Sequence, residues 1–334
     1  MKIVNFKAKT NYQLGKEISE QTQKSIEKAI KNATWLSKID QEKYKKIKKI
    51  TEKKFPELIE ELKGMSEGAN IPFETILKFN IKELIPRKIN KHPIDEDCTT
   101  LTLKNENNTI IAHNEDGNRH ADLFIYKGTL PSGIKVLGTG YPGQLIGFAT
   151  TITSNEIYFS ANTLSCRETG IGIPKRFITR KAIEYENIQE LLKFLKKINR
   201  AQGQNYTIHQ KEETYNLEAS TKAHKITKIK ERFAHCNNFI HQDLLKFENR
   251  PPSHPTHYRN FVAQHLITQA KNEKDLIKIL ANRKYAPKSI CMLKKDTKQG
   301  IITLGSTIYK SSEPNKLIIS TKPTNNPNYE QHII

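Results

Sequence analysis

The sequence of 334 residues lacks any apolar run of about 18 residues, the length that a membrane-spanning helix needs. Residues 1–7 contain neither an apolar core region nor a small-residue cleavage site, so they do not predict a secretory signal. These two features favour a protein without a membrane partner.

Cysteine is also scarce, since the chain has only Cys98, Cys166, Cys236 and Cys291, each more than fifty residues from the next. Such spacing offers neither a zinc ribbon nor a thioredoxin-like site, and four cysteines are too few to hold a chain of this length together as a disulfide scaffold. Reduced thiols in a cytoplasmic protein are the expectation. No metal or cofactor is expected either, because His254 and His257 lack further partners at ligand spacing.

A strong positive charge is present, with a formal net charge of +20. It is spread evenly, however, with +6 over residues 1–97 and +14 over residues 98–334. A nucleic-acid interface would concentrate the charge in a patch or tail, so nucleic acid is an unlikely partner. The densest basic run, residues 43–49, has apolar residues on one helical face and is interpreted as a solvated helix side.

Residues 1–90 are predicted to be helical. Apolar residues from Leu14 to Trp35 follow helical spacing, Pro56 suits a first helical turn, and a further short helix fits residues 74–84. Gly64 and Gly68 indicate a helix end near residues 68–72. Residues 86–97 are polar, contain two prolines and have no period, which predicts an exposed linker.

At Cys98 the apolar period changes to two, which predicts a β-hairpin of residues 98–103 and 109–113 joined by a turn at 105–108. Strands are also predicted at 123–127, 134–138, 157–161, 206–210, 214–219, 226–229, 289–293, 301–307 and 316–320. Helices are predicted at 174–185, at 188–198 with Asn187 as N-cap, and at 258–281. The alternation of strand and helix groups predicts an α+β fold with two sheets sandwiched between helical layers.

The chemistry of Cys98 follows from this hairpin, which brings residues 114–116 next to it. A thiol beside carboxylates has a raised pKa, which fits poorly with an ordinary cysteine–histidine pair. An α-amine, with a pKa of about 7.7–8, could accept the thiol proton instead. Cleavage before Cys98 would create that amine, and Asp116 would hold it by a charge-assisted hydrogen bond.

Several motifs lie in order along the chain: residues 55–69, Cys98-Thr99-Thr100, His113-Asn114-Glu115-Asp116, residues 160–164, residues 235–238 and Tyr258-Arg259. Together they resemble the N-terminal-nucleophile hydrolases, specifically the isopenicillin N acyltransferase (acyl-coenzyme A:6-aminopenicillanic acid acyltransferase) family, with choloylglycine hydrolases as distant relatives. The resemblance covers nearly the whole chain. It implies a four-layer αββα sandwich preceded by a helical prosegment.

The resemblance also implies roles for particular residues. Self-cleavage between Asp97 and Cys98 would give a small subunit, residues 1–97, which stays associated with a catalytic large subunit, residues 98–334. Cys98 would form a thioester with a small-molecule amide or acyl donor. Asn162 and Asn237 would donate to the oxyanion, Asp116 would orient the amine, and Arg259 would shape the field of the site. Hydrolysis and transfer share this thioester, so the sequence leaves both open.

Some positions depart from the family pattern, including residues 235–238, where His-Cys-Asn-Asn replaces a more usual His-Thr-Asn-His. Asp97 stands where the family usually has glycine, and Gly117 stands where it often has an aromatic residue after the Asn-x-Asp motif. Asp97 and the net charge keep a second hypothesis open. In it, the chain stays uncut and catalytically silent and binds an anionic partner through its basic surface.

Overall fold

The protein was analysed as a computed structural model that describes residues 1–81, 83, 96–106, 108–168, 170–296, 300–320 and 328–334. Most of the predicted linker, residues 86–95, lies outside the described residues, as does Leu84. Among the described residues, no helix has both the length and the apolar character that crossing a membrane requires.

The first segment contains four α-helices, α1 (Asn11–Asn32), α2 (Gln41–Lys54), α3 (Pro56–Ala69) and α4 (Phe73–Phe79). The prediction that it is entirely helical is wrong, because strand β1 (Lys2–Lys7) precedes α1. In that strand the side chains of Val4 and Phe6 are buried between exposed neighbours, which is the period of a half-buried strand. The helix predicted for residues 74–84 stops at Phe79, where the Asn80 side chain binds the Ile76 carbonyl.

The helix end predicted near residues 68–72 is confirmed, and both glycines lie inside α3, before that end. A Cβ at Gly64 would come within 1.8 Å of the Tyr12 carbonyl oxygen, and one at Gly15 equally close to the Glu61 carbonyl oxygen. Glycine is therefore needed for α1 and α3 to approach each other this closely. The helix ends one residue after Gly68, at Ala69, and Asn70 follows in the left-handed conformation.

The predicted hairpin is confirmed as β2 (Glu96–Lys104) and β3 (Thr109–Asn118), with Cys98 opposite Glu115 and Asp97 opposite Asp116. The other strands are β4 (Phe124–Thr129), β5 (Lys135–Gly140), β6 (Thr150–Thr153), β7 (Tyr158–Thr163), β8 (Gln204–Gln210), β9 (Glu213–Ala219), β10 (His224–Lys228), β11 (Arg232–His235), β12 (Ile301–Lys310), β13 (Lys316–Ser320) and β14 (Tyr329–Ile333). Strands β6, β11 and β14, which have four or five residues each, were not predicted.

The remaining helices are α5 (Lys175–Ala182), α6 (Ile188–Lys197), α7 (Pro255–Ile267) and α8 (Glu273–Leu280). Asn187 caps α6 as predicted, through the Glu190 amide. The single helix predicted at 258–281 is two helices, because Asn272 starts a new one by capping α8. The strand predicted at 289–293 is wrong. Its amides bind Asn282 and Thr303 rather than a neighbouring strand, although its residues are mostly buried.

The strands form two sheets, with the orders β1-β4-β5-β6-β7-β8-β9-β10 and β11-β2-β3-β12-β13-β14. Neighbouring side chains on a strand point to opposite faces. Phe124 and Tyr126 accordingly pack towards α1, α3, α5 and α6, whereas Ile125 packs between the sheets against Ile111 and Tyr309. Leu101 and Ile110 pack on the other side against α7 and α8. These three apolar clusters confirm the predicted four-layer αββα sandwich.

One buried ion pair joins the two parts of the chain on either side of Cys98. Arg180 on α5 donates to both carboxylate oxygens of Glu61 on α3, and both side chains are almost fully buried. Burial raises the pKa of Glu61 to about 7 against the lowering effect of Arg180. The carboxylate form therefore depends on Arg180 remaining in place.

We expect Arg180→Met to lower the free energy of unfolding by about 3–5 kcal/mol near neutral pH, because it leaves the buried Glu61 carboxyl group without its partner. Urea unfolding followed by circular dichroism measures the change. Lys193→Met removes an exposed pair with Glu190 and should cost less than about 0.5 kcal/mol. Equal losses for the two variants would contradict this account.

Candidate active site

Cys98 lies near the start of β2 and is fully buried. Its position alternates with Leu101, which faces α7 and α8, so the thiol points between the two sheets. There Sγ lies 3.4 Å from Oε2 of Glu115 and 4.0 Å from the Ala161 carbonyl oxygen of β7. Burial, followed by the charges of Glu115 and Asp116, raises the pKa of Cys98 well above its ordinary value. The raised thiol pKa that the sequence predicts is therefore present.

Glu115 belongs to a buried chain of hydrogen bonds that sequence analysis did not assign. Its Oε1 accepts from the Tyr141 hydroxyl at 2.6 Å, and its Oε2 lies 3.1 Å from Nε2 of His113. The Thr100 hydroxyl donates to Oδ1 of Asn162 at 3.0 Å, so at 2.9 Å it accepts from Nδ1 of His113. Nε2 of His113 is therefore the ring nitrogen that faces Glu115.

Arg259 on α7 holds the peptide on the C-terminal side of Cys98. Its Nη1 donates to the Cys98 carbonyl oxygen at 2.8 Å and to the Thr99 hydroxyl at 3.1 Å. Its Nη2 lies 2.9 Å from Oδ1 of Asn237 and 3.0 Å from Oδ2 of Asp97. The predicted site residues Cys98, Asn237 and Arg259 are thus in direct contact.

Asn237, just after β11, holds the nitrogen of the peptide bond that joins Asp97 to Cys98. The Cys98 amide donates to Oδ1 of Asn237 at 2.7 Å. Nδ2 of Asn237 donates to the Thr163 carbonyl oxygen at 3.1 Å, and its second hydrogen has no partner among the described residues. Asn237 can therefore hold the bond on one side and still offer a donor.

Asp97 is buried, which corrects the prediction that an exposed linker extends to this residue. Its Oδ1 lies 3.1 Å from Nη2 of Arg250, and its Oδ2 pairs with Arg259. Arg250 also donates to the Asn237 carbonyl oxygen. Two buried guanidinium groups thus fix the residue on the N-terminal side of the same peptide bond.

Asp116 lies opposite Asp97 in the hairpin, on the face of the sheet that packs against α7. Its nearest cationic partner is Nη1 of Arg259 at 3.6 Å, and neither carboxylate oxygen has a hydrogen bond in the described part of the chain. Burial raises its pKa to about 7, partly offset by Arg259. The carboxylate next to the Cys98 thiol is therefore that of Glu115, whereas Asp116 lies on the opposite face of the sheet.

Asn162 on β7 is buried between the sheets, and its amide is fully engaged. Nδ2 donates to the carbonyl oxygens of His235 and Cys236, at 3.2 and 3.1 Å. Its predicted role as an oxyanion donor would require at least one of these hydrogen bonds to open.

Cys98, His113 and Glu115 could also chelate a metal ion, since their ligand atoms all lie within 4.8 Å of one another. The hydrogen bonds among them already account for this closeness. The predicted loop histidine His254 acts instead as an N-cap, because its Nδ1 accepts from the Thr256 amide at 3.2 Å.

The site can be compared with known proteins. The sequence model of the family described as "Acyl-coenzyme A:6-aminopenicillanic acid acyl-transferase" matches residues 103–325. A curated relative, the Beta-alanyl-dopamine/carcinine hydrolase of Drosophila melanogaster, is 24% identical over 159 residues. That alignment covers 42% of this chain and 41% of the relative, so the chain matches less than half of the relative's length.

Among solved structures, the chain is similar to penicillin V acylase from Agrobacterium tumefaciens, with a TM-score of 0.44 and 10% identity. The match covers 71% of this chain and 86% of the acylase. The likeness is too distant to bear on activity.

Asp116 should make stability depend on pH. Because its folded pKa lies above the unfolded value, its contribution is complete below about pH 4 and is lost as pH rises through about 7. We therefore expect Asp116→Asn, in a Cys98→Ala chain, to stabilise the fold more at about pH 8 than at about pH 5. Urea unfolding at both pH values measures this, and a difference that does not change with pH would refute it.

Proposed function

Because the chain belongs to the acyl-coenzyme A:6-aminopenicillanic acid acyl-transferase family, we propose that it is an autoprocessed cysteine amidohydrolase or acyltransferase with Cys98 as nucleophile. Self-cleavage between Asp97 and Cys98 would separate a prosegment, residues 1–97, from a catalytic region, residues 98–334. The observation that carries the proposal is the set of contacts that hold Asp97 and Cys98 on the two sides of this peptide bond.

Those contacts are expected around a peptide bond that reacts, and not around a cysteine that only fills space in the core. The Cys98 nitrogen is held by Asn237, its carbonyl oxygen by Arg259, and the preceding side chain by Arg250 and Arg259. The thiol lies against a carboxylate that could accept its proton. A cysteine needed only for packing would have apolar neighbours rather than the charged side chains of Glu115 and Arg259.

Self-cleavage needs a base other than the α-amine, since that amine forms only when the bond breaks. Glu115 is the group in position, because its Oε2 is 3.4 Å from Sγ and is backed by His113. Glu115 would take the thiol proton, Sγ would bond to the Asp97 carbonyl carbon, and the bond from that carbon to the Cys98 nitrogen would break. The proton would pass to the freed amine, and water would hydrolyse the thioester.

In the cut enzyme the new α-amine would act as the base for substrate. The amide that Asn237 now holds would become this amine, and Asp116 would lie on the other side of the strand near Arg259. Asn237 has an unused N–H to offer an oxyanion, and Asn162 would supply a second donor after local rearrangement. Each such donor typically lowers the barrier by about 2.7–4 kcal/mol.

Water or an amine could complete the reaction, because both would attack the same thioester carbonyl. The family is described as acyl-transferase, whereas the Drosophila relative is named a hydrolase. We propose a small-molecule amide or acyl donor as substrate on this basis. Hydrolysis and transfer both remain within the proposal.

The two fragments would remain associated after cleavage. Strand β1 of the prosegment pairs with β4 along six residues, and the Glu61–Arg180 ion pair crosses between α3 and α5. Apolar residues of α1, α2 and α3 share one buried cluster with β4, β7 and α5. Separating the fragments would expose this cluster to water.

We expect the purified protein to give fragments of 97 and 237 residues, and Cys98→Ala to give one intact chain without amide turnover. Cys166→Ala, which also removes a buried thiol, should still be cut and active. Denaturing electrophoresis and an amide hydrolysis assay measure these outcomes. The proposal fails if Cys98→Ala and the unmodified chain are equally intact and equally inactive.

That failing result is what the alternative hypothesis predicts. In it, the two arginines hold Asp97 in an uncut, silent chain whose net charge of +20 binds an anionic partner. Its binding would weaken steeply with added salt.

Glu115→Gln should slow self-cleavage by about 10²–10⁴-fold, because the amide cannot accept the thiol proton. Glu231→Gln, at an exposed carboxylate next to β11, should be cut at the normal rate. The half-time of cleavage after refolding from denaturant gives the comparison. Equal half-times for the two variants would remove Glu115 from the mechanism.

A further inference from the structure

The Asp97 carboxylate occupies a built anion site directly beside the nucleophile. Both of its oxygens face guanidinium groups, Arg250 at 3.1 Å and Arg259 at 3.0 Å, and all three residues are at least nine-tenths buried. Two buried guanidinium groups thus bind one carboxylate from two sides, an arrangement that favours a carboxylate over a neutral group.

Asp97 is also the first acyl group that Cys98 would carry. In the self-cleavage proposed above, the Asp97 carbonyl carbon bonds to Sγ, and the side-chain carboxylate lies three covalent bonds further along. A later substrate places its own acyl carbon on the same sulfur. Its acyl chain can then take the path that the Asp97 side chain follows now.

Withdrawal of Asp97 would leave Arg250 without a carboxylate. Asp116 lies near Arg259 rather than Arg250. Glu248 is close to Arg250, but its two oxygens bind the backbone amides of Arg250 and Phe239. No other ion pair to Arg250 occurs within the described residues, where its Nε also has no partner. A buried cation without a counter-ion is strongly stabilised when a new anion binds to it.

We propose that Arg250 and Arg259 form a carboxylate subsite for the acyl group, so that the enzyme acts on amides whose acyl chain ends in a carboxylate, such as succinyl or aspartyl amides. This substrate class rests on the proposed function. The Cys98 thiolate forms a bond to the succinyl carbonyl carbon, and the amine leaves with a proton from the α-ammonium group. Water, or an acceptor amine, then cleaves the thioester and restores the thiol.

The first test needs neither cleavage nor turnover. In Cys98→Ala the Asp97 side chain still fills the subsite, whereas Asp97→Gly in the same background opens a space the size of acetate. Calorimetric titration should show acetate binding to the double variant about tenfold or more tightly than acetamide, its neutral analogue. Cys98→Ala alone should bind neither. Equal affinity for acetate and acetamide would overturn the subsite.

The second test uses the self-cut enzyme and three 4-nitroanilides of nearly equal length. The succinyl compound should have a kcat/KM about tenfold or more above the neutral butanoyl compound, and the cationic β-alanyl compound should be poorest. Arg250→Met should abolish the succinyl preference, whereas Arg232→Met, at an exposed arginine of β11, should keep it. A butanoyl preference would overturn the substrate class.

The two tests separate the two proposals. If the chain is uncut and hydrolyses none of these amides, the proposed function fails, while the acetate titration still decides the subsite. If amides are hydrolysed without regard to the carboxylate, the subsite fails and the proposed function stands. Should Arg250→Met not fold, the substrate series on the unmodified enzyme and the acetate titration still decide whether the subsite exists.

Discussion

The bridge from Asp97 to Arg259 and Arg250 is the interaction on which the rest of the site depends. It anchors one end of strand β2 in the protein interior and fixes the side chain before Cys98 between two buried cations. Arg259 then connects that bond to Asn237 and, at longer range, to Asp116. Without the Asp97 carboxylate, two buried guanidinium groups would face one another with little compensation.

Side chains alternate along the hairpin, so the residues of the site lie on two opposite faces of the sheet. Cys98, His113 and Glu115 face the space between the sheets, where proton transfer from the thiol is possible. Asp97 and Asp116 face α7, where Arg259 balances their charge. Only the backbone of the hairpin lies between these two groups of residues. Burial and the charges of Glu115, Asp116 and Asp97 keep the pKa of the Cys98 thiol high, so the nucleophile stays protonated until Glu115 acts.

Much of this arrangement follows from local sequence. The change of apolar period at Cys98 locates the hairpin, and the short turn predicted between its strands implies that Lys104 pairs with Thr109, as the structure has it. That register already brings Glu115, rather than Asp116, opposite Cys98, so the thiol neighbour could have been predicted from the turn alone. The role of Arg250 could not have been predicted, because this residue belongs to no helical or strand pattern and lies in an irregular segment between β11 and α7. Its importance comes from a contact across 153 residues of chain.

The central claim is that Cys98 becomes a chain terminus bearing both a free amine and a thiol. The most direct measurement is labelling of the purified protein, unfolded in denaturant, with a cyanobenzothiazole reagent that forms a stable ring only with an N-terminal cysteine. The account predicts a single adduct, which peptide mass spectrometry assigns to Cys98 at the start of the larger fragment. An intact chain that takes up no label, with all four thiols still reactive towards iodoacetamide, would contradict it.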